Sequence, residues 1–252
     1  MQFVVDDDHL GTSAHAWAGS RLAGSVPPLR LTDTRRAVVV APHPDDEILG
    51  AGGLLQELDR RGVEVLVVAV TDGEASHPRS ELAKKVDLRR IRAKESIVAL
   101  GRLGISRPRV VRLRIPDGGV TRSIERLEAE LTRLLHPGDL CLAPWVSDGH
   151  PDHDASGVSV RNVSSSVGNR VLHYLVWALH WADPEGHDLP WHECRRQELS
   201  VCQRAKKHRA TLSFRSQIRP LGRSSAEAPV LPLEVLRRHW LDYELFIDPG
   251  IA

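Results

Sequence analysis

At 252 residues, with 41% hydrophobic and 27% charged side chains, the chain has the size and balance of one large globular domain. A formal net charge of +1 lacks the basic excess that a polyanionic partner demands, so nucleic-acid binding is not expected. Cys141, Cys194 and Cys202 are odd in number without CxxC spacing, no apolar run is long enough to span a bilayer, and Asp6, Asp7 and Asp8 are unlike a secretory leader, so the expectation is a cytoplasmic protein without membrane insertion.

Residues 1–35 read as a loosely packed extension, anchored by Trp17 and turning at Val26-Pro27-Pro28-Leu29. Residues 37–41 read as a strand, and 46–61 as a helix carrying Ile48, Leu54, Leu55 and Leu58 and stopped by Gly62. Residues 63–70 are apolar enough for a strand buried on both faces. A polar loop over 71–79 precedes a helix over 82–103, with Ile91, Ile97, Val98 and Leu100 marking one face and Gly104 ending it. Residues 110–113 are a third strand, 124–135 an amphipathic helix, 140–143 a fourth strand and 171–176 a fifth. Beyond about residue 183 the pattern weakens. A basic helix over 192–212 and the segment 243–247 are expected to complete one wall of a site. The alternation predicts a Rossmann-like, mostly parallel sheet in a three-layer α/β/α sandwich.

Two clusters carry chemistry. Ala41-Pro42-His43-Pro44-Asp45-Asp46-Glu47 follows the first strand, and Asp148-Gly149-His150-Pro151-Asp152-His153-Asp154 lies behind the fourth. A parallel sheet puts the carboxyl ends of both strands on one edge, so the clusters can converge. Alone, Asp45, Asp46 and Glu47 would read as helix-start residues. Together, the His-x-x-Asp and His-x-x-His pairs can supply three zinc ligands and leave a carboxylate and an imidazole for acid–base work. That combination points to a metal-dependent hydrolase. Gly50-Ala51-Gly52-Gly53 falls inside the predicted helix rather than before it, against a dinucleotide fingerprint.

The clusters resemble the signature of the LmbE-like, or PIG-L, family of zinc-dependent N-deacetylases. The first motif, Ala-His-Pro-Asp-Asp-Glu, has one residue inserted between alanine and histidine; the second stands intact as His150-Pro151-Asp152-His153. Weaker echoes at Thr71-Asp72-Gly73-Glu74, Arg92-Ala93-Lys94-Glu95, Pro116-Asp117-Gly118 and Ser216-Gln217 extend the likeness over residues 36–247, so a deacetylase domain over 36–252 is expected after the extension. The resemblance implies His43, Asp46 and His153 as zinc ligands, with iron(II) compatible with the same donors. It implies Asp45 as general base toward the water that zinc activates, His150 as stabiliser of the oxyanion, and Asp152 as the group that orients an imidazole. The implied substrate is a small molecule, an N-acetylated amino sugar or its conjugate. A metal-dependent amidohydrolase of a non-sugar metabolite and a catalytically silent sugar-binding member of the fold are the alternatives.

Arg92 and Asp117 are implied as substrate contacts, set against a solvated helix face for the arginine and a plain turn for the aspartate. Asp148 stands where some sugar deacetylases of the family carry a tyrosine, and is expected to bind a substrate hydroxyl or amine. The chain's only tyrosines are Tyr174 and Tyr243. Trp177 to Trp181 read as an apolar wall, with a stacking platform for a sugar ring as the alternative. His173, His180, His187, His192 and the other histidines read as packing or surface. Oligomeric state has no signal in the sequence.

Overall fold

The strand Arg36–Ala41 (β1) divides its side chains between two cores, Ala37 and Val39 facing one and Val38 and Val40 the other. A computed structural model describes residues 11–31, 33–106 and 108–250; the acidic stretch 6–8 lies outside them. On one side β1 pairs in parallel with β2 (Glu64–Ala69), which pairs with β3 (Arg109–Arg112). On the other it pairs with β4 (Leu140–Pro144), followed by β5 (Arg170–Tyr174). Two antiparallel strands, β6 (Cys194–Glu198) and β7 (Tyr243–Ile247), complete the seven-stranded order β3-β2-β1-β4-β5-β7-β6.

The short helices α1 (Ala14–Gly19) and α2 (Arg21–Ser25) precede the sheet. Helices α3 (Asp46–Arg60) and α4 (Leu88–Leu103) cover one face through Ile48, Leu54, Leu55, Leu100 and Leu103. Helices α5 (Ile124–Leu134) and α6 (Pro151–Val167) cover the other through Leu127, Leu131, Val160 and Val163. The remainder is α7 (Ala178–Trp181), α8 (Val201–Thr211), α9 (Arg215–Ile218) and α10 (Leu233–Arg238). The three-layer sandwich is therefore as expected. None of the described helices is long and apolar enough to cross a membrane.

Four elements differ from the sequence reading. Helix α4 begins at Leu88, because Asp87 accepts from the backbone N–H of Arg90 (3.1 Å) and caps it there. Its inward residues are Leu88, Arg92, Ser96, Ala99, Leu100 and Leu103, while Ile91, Ile97 and Val98 face solvent. The segment behind the fourth strand is not a loop throughout: it enters the seventeen-residue α6 at Pro151. The basic helix over 192–212 is a strand, β6, then α8, which Ser200 and Gln203 start with a capping box. The pocket wall comes from residues around α9 and α10, whereas 243–247 is β7 inside the sheet.

The described part of the lead-in, from residue 11 on, is also tighter than expected. Trp17 is sealed in a third core with Leu179, Leu241, Tyr243 and Leu245. Its Nε1 donates to the Leu179 carbonyl (2.8 Å), Ser20 Oγ donates to the Pro184 carbonyl (2.7 Å), and Tyr243 donates to the Trp17 carbonyl (2.7 Å).

Close packing explains a glycine in the middle of α3. A Cβ at Gly50 would lie 2.2 Å from the Tyr174 ring, which is buried with its hydroxyl donating to the Val40 carbonyl (2.8 Å). Gly50→Ala is expected to lower unfolding stability by about 1–3 kcal/mol, since overpacking outweighs alanine's better helix propensity. Urea denaturation measures this; an unchanged midpoint would mean that the Tyr174 ring can move aside.

Candidate active site

Strands β1 and β4 are neighbours whose following connections leave toward opposite halves of the sheet, and the crevice at such a switch point is where open α/β sheets bind ligands. The loop after β1 delivers His43 and Asp45 and starts α3 at Asp46, whose Oδ2 accepts from the His43 backbone N–H (2.8 Å). The loop after β4 delivers His150 as N-cap of α6 and His153 in its first turn.

Three donor atoms form a near-equilateral triangle. His43 Nδ1 lies 3.2 Å from Asp46 Oδ2 and 3.2 Å from His153 Nε2, and His153 Nε2 lies 3.3 Å from Asp46 Oδ2. Tetrahedral ligands at 2.0–2.1 Å from zinc stand roughly 3.3 Å from one another, so this donor set fits such an ion. Each imidazole has a carboxylate on its far nitrogen. Asp148 Oδ2 is 2.8 Å from His153 Nδ1, while Asp117 Oδ1 and Asp152 Oδ2 are 3.2 and 3.6 Å from His43 Nε2. These partners fix ring orientation and tautomer.

The electrostatics favour a cation. Asp45, Asp46, Asp117, Asp148 and Asp152 converge here, with Arg92 as the compensating guanidinium. Burial opposes charge on His43, yet the Asp117, Asp152 and Asp46 carboxylates outweigh it and lift the imidazole well above its usual range. His153 is fully buried, which again opposes charge, and is nonetheless drawn up to about 9 by Asp46 and Asp148. The field that attracts these protons attracts a divalent ion, whose binding would release them.

Asp148 is not a substrate contact. It is fully buried; Oδ1 accepts from the backbone N–H groups of Val176 (3.1 Å) and Ala178 (2.9 Å), and Oδ2 from Trp177 N–H (2.9 Å) as well as His153. No acceptor is left for a ligand, and its geometry is that of a group orienting His153. Asp148→Asn is therefore expected to weaken metal affinity about 10- to 100-fold. Competition with a chromogenic chelator reads this, and unchanged affinity would mean that His153 needs no carboxylate.

Asp152 accepts from the N–H groups of Gly118 (2.8 Å) and Val120 (3.1 Å), tying the 116–120 turn to α6 beside His43. Asp117 borders the pocket while its Oδ2 accepts from the Ala75 N–H (2.8 Å). Arg92 is 3% exposed, so the solvated helix face is ruled out for it. It donates to the carbonyls of Gly73 (2.8 Å) and Pro44 (3.0 Å) and to Asp45 Oδ2 (3.2 Å), clamping the loop that carries the carboxylate.

Asp45 has a φ of +145°, a conformation that costs on the order of 1–3 kcal/mol and persists only where surroundings impose it. Here Arg92 holds its side chain, its N–H donates to Glu47 Oε2 (3.1 Å), and its carbonyl accepts from Ile48 and Leu49 (both 2.9 Å). Burial pushes its carboxyl up to about 7, against the pull of Arg92. Glu47 sits behind it, accepting from Ser96 Oγ (2.7 Å), as a helix-start residue.

Burial, with His43 and His153 nearby, pushes His150 down to about 3 and keeps its ring neutral. Its Nδ1 accepts from the Asp152 N–H (3.2 Å), so the ring proton resides on Nε2. Trp177 stacks on this ring, centroids 5.7 Å apart, and borders the same pocket. Tyr174 and Tyr243 both donate to backbone carbonyls, so neither replaces the absent phenol.

The pocket encloses about 1050 Å³, mouth included. His43, Asp45, Asp46, Arg92, Asp117 and His150 line it together with the apolar Leu49, Val176, Val230, Leu231 and Val235. His180 and His239, read from sequence as packing or surface, both border it. Neither has ligand spacing to any motif, so only the tertiary fold reveals them.

The family model PIG-L (GlcNAc-PI de-N-acetylase) matches residues 38–164, a span holding both motifs. The chain is 27% identical over 128 residues to a diacetylchitobiose deacetylase of Thermococcus kodakarensis, covering 50% of this chain and 47% of that protein. It is 29% identical over 145 residues to a 1D-myo-inositol 2-acetamido-2-deoxy-alpha-D-glucopyranoside deacetylase of Mycolicibacterium gilvum, covering 48% and 51%. The chain thus spans about half the length of these curated relatives. In fold it is similar to the N,N'-diacetylchitobiose deacetylase from Pyrococcus horikoshii, with a TM-score of 0.56, 23% identity, and coverage of 72% and 71%.

Proposed function

This chain belongs to the PIG-L (GlcNAc-PI de-N-acetylase) family, and on that premise we propose that it is a metal-dependent N-deacetylase. Its substrate is an N-acetylated amino sugar or a conjugate of one, and its products are acetate and a free amine. The observation that carries this reading is the His43, Asp46 and His153 triangle beside the strained, Arg92-clamped Asp45.

A divalent ion at His43, Asp46 and His153 would supply Lewis acidity toward the amide carbonyl and lower the pKa of water. Zinc suits these donors, and iron(II) binds the same set. Asp45 borders the pocket and takes the proton of the attacking water, its carboxylate held in place by Arg92. His150 donates from Nε2 to the oxyanion that develops on the carbonyl oxygen. Proton delivery to the departing amine falls to Asp45 or His150. Asp148 keeps the His153 imidazole in register, and Asp117 with Asp152 that of His43. Asp117 and Arg92 are the proposed substrate contacts; Arg92 Nε is buried and makes no hydrogen bond among the described residues. The catalytic unit is residues 36–252, which the lead-in braces through Trp17.

A panel of N-acetylated amino sugars, their conjugates and non-sugar acetamides, assayed for acetate and primary amine, tests this. Release from sugar substrates by the metal-loaded protein is the expected result. Turnover confined to non-sugar amides would reject the sugar assignment, and no turnover at all would reject the enzymatic one.

A further inference from the structure

Among the described residues, one hydrogen bond holds the His150 ring, that from the Asp152 N–H to Nδ1 (3.2 Å). The torsion that turns an imidazole about its stem is soft, so the direction of the Nε2 proton depends on what packs against the ring. Three rings do. His43 meets it edge-on, centroids 4.9 Å apart at 84°, and His153 is tilted at 5.1 Å and 55°. Among the described residues only Trp177 lies near parallel to it, 5.7 Å away at 25°, within the range of offset stacking.

The indole is itself firmly seated. Trp177 N–H donates to Asp148 Oδ2 (2.9 Å), the same oxygen that lies 2.8 Å from His153 Nδ1. The N–H groups of Val176 (3.1 Å) and Ala178 (2.9 Å) donate to Oδ1. The Trp177 carbonyl accepts from the His180 N–H (2.8 Å), and the His180 ring meets the indole at 73°, centroids 6.3 Å apart. The fully buried Asp148 therefore serves two parts of the site. Directly it orients a metal-ligand imidazole, and through the backbone of residues 176–178 it sets the indole against His150.

We propose that Trp177 is a positioning residue for His150, fixing the imidazole plane so that Nε2 is aimed at the oxyanion, and that Asp148 couples this placement to that of His153. The proposal rests on the reading of His150 as the oxyanion donor. Trp177 also borders the pocket, so its rival role is a stacking platform for substrate. Kinetics separate the two. Loss of a platform weakens binding and raises KM, whereas a misdirected donor is felt in the transition state and lowers kcat.

A double-mutant cycle between Trp177→Leu and His150→Asn tests this in the full-length, metal-loaded protein, with kcat and KM measured on the best N-acetylated amino sugar of the panel. Trp177→Leu is expected to lower kcat roughly 10- to 100-fold, the cost of a displaced reacting group, with KM near the parental value. Trp177→Phe keeps an aromatic face and should restore most of the loss. In the His150→Asn background Trp177→Leu should cost almost nothing further, since the group it positions is gone. Thermal melts and metal content check each variant, and Trp177→Met, which adapts to irregular gaps, replaces leucine in the cycle should leucine unfold the protein. A slow His150→Asn that Trp177→Leu slows again by the same factor overturns the placement and leaves the role of His150 standing. A raised KM at parental kcat also overturns it, assigning Trp177 to substrate stacking. Parental turnover by His150→Asn, or none by the parent, removes the reading of His150 and the proposal with it.

Discussion

Asp45→Asn is expected to lower kcat by roughly 10²- to 10⁴-fold while metal content stays at the parental level. The substitution is nearly isosteric, so the Glu47, Ile48 and Leu49 contacts that impose the +145° backbone at this position can be kept. The amide oxygen can still accept from Arg92, and the triangle of His43, Asp46 and His153 is untouched. What is lost is the ability to take a proton from water. Metal analysis of the purified variant beside its kcat separates the roles: loss of metal together with activity would make Asp45 a ligand, and full activity would place the base elsewhere.

The second large effect is expected at His150. Removing the group that faces the developing oxyanion should lower kcat by roughly 10²- to 10³-fold with a smaller change in KM. His150 also caps α6 by accepting from Asp152, so a simple truncation would mix a folding defect with a catalytic one. His150→Asn avoids this. Asparagine is a preferred N-cap and preserves the start of α6, but cannot extend a donor as far as Nε2 does. The expected variant melts close to the parent and turns over slowly. Parental turnover would show that another donor holds the oxyanion, and with both tyrosines committed to backbone carbonyls the next candidates are His180 and His239 on the pocket wall.

The central strands and both motifs were legible because their signals are local. Apolar runs such as Val38-Val39-Val40 specify strands buried on both faces, and His-Pro-Asp motifs at their ends are read without knowing the fold. Helix α6 has no clear apolar period in the sequence because it buries Ser156, Gly157, Ser159 and Ser164 along with Val160 and Val163. The inward face of α4 is legible only at Leu100, while Ile91, Ile97 and Val98 point outward, for a related reason. Arg92 and Ser96 turn inward because Asp45 and Glu47 await them, and no periodicity in apolar residues records such partners. Strand β6 reads Cys-Arg-Arg-Gln-Glu, a composition that suits a helix, and is a strand because it lies on the sheet edge against β7. Asp148 is the instructive case within the site. Its place in the motif suggested a ligand contact, whereas the N–H groups of residues 176–178, nearly thirty residues on, fold over it and leave it facing His153 alone.

The most direct test of the account is a zinc titration of chelator-stripped protein, following acetate release from the best N-acetylated amino sugar of the panel. Stripped protein should be inactive, activity should rise linearly to one equivalent per chain, and Asp45→Asn should bind the same equivalent without turnover. Undiminished turnover by the stripped protein, or zinc binding that Asp46→Ala and His153→Ala leave intact, would contradict the assignment of this site.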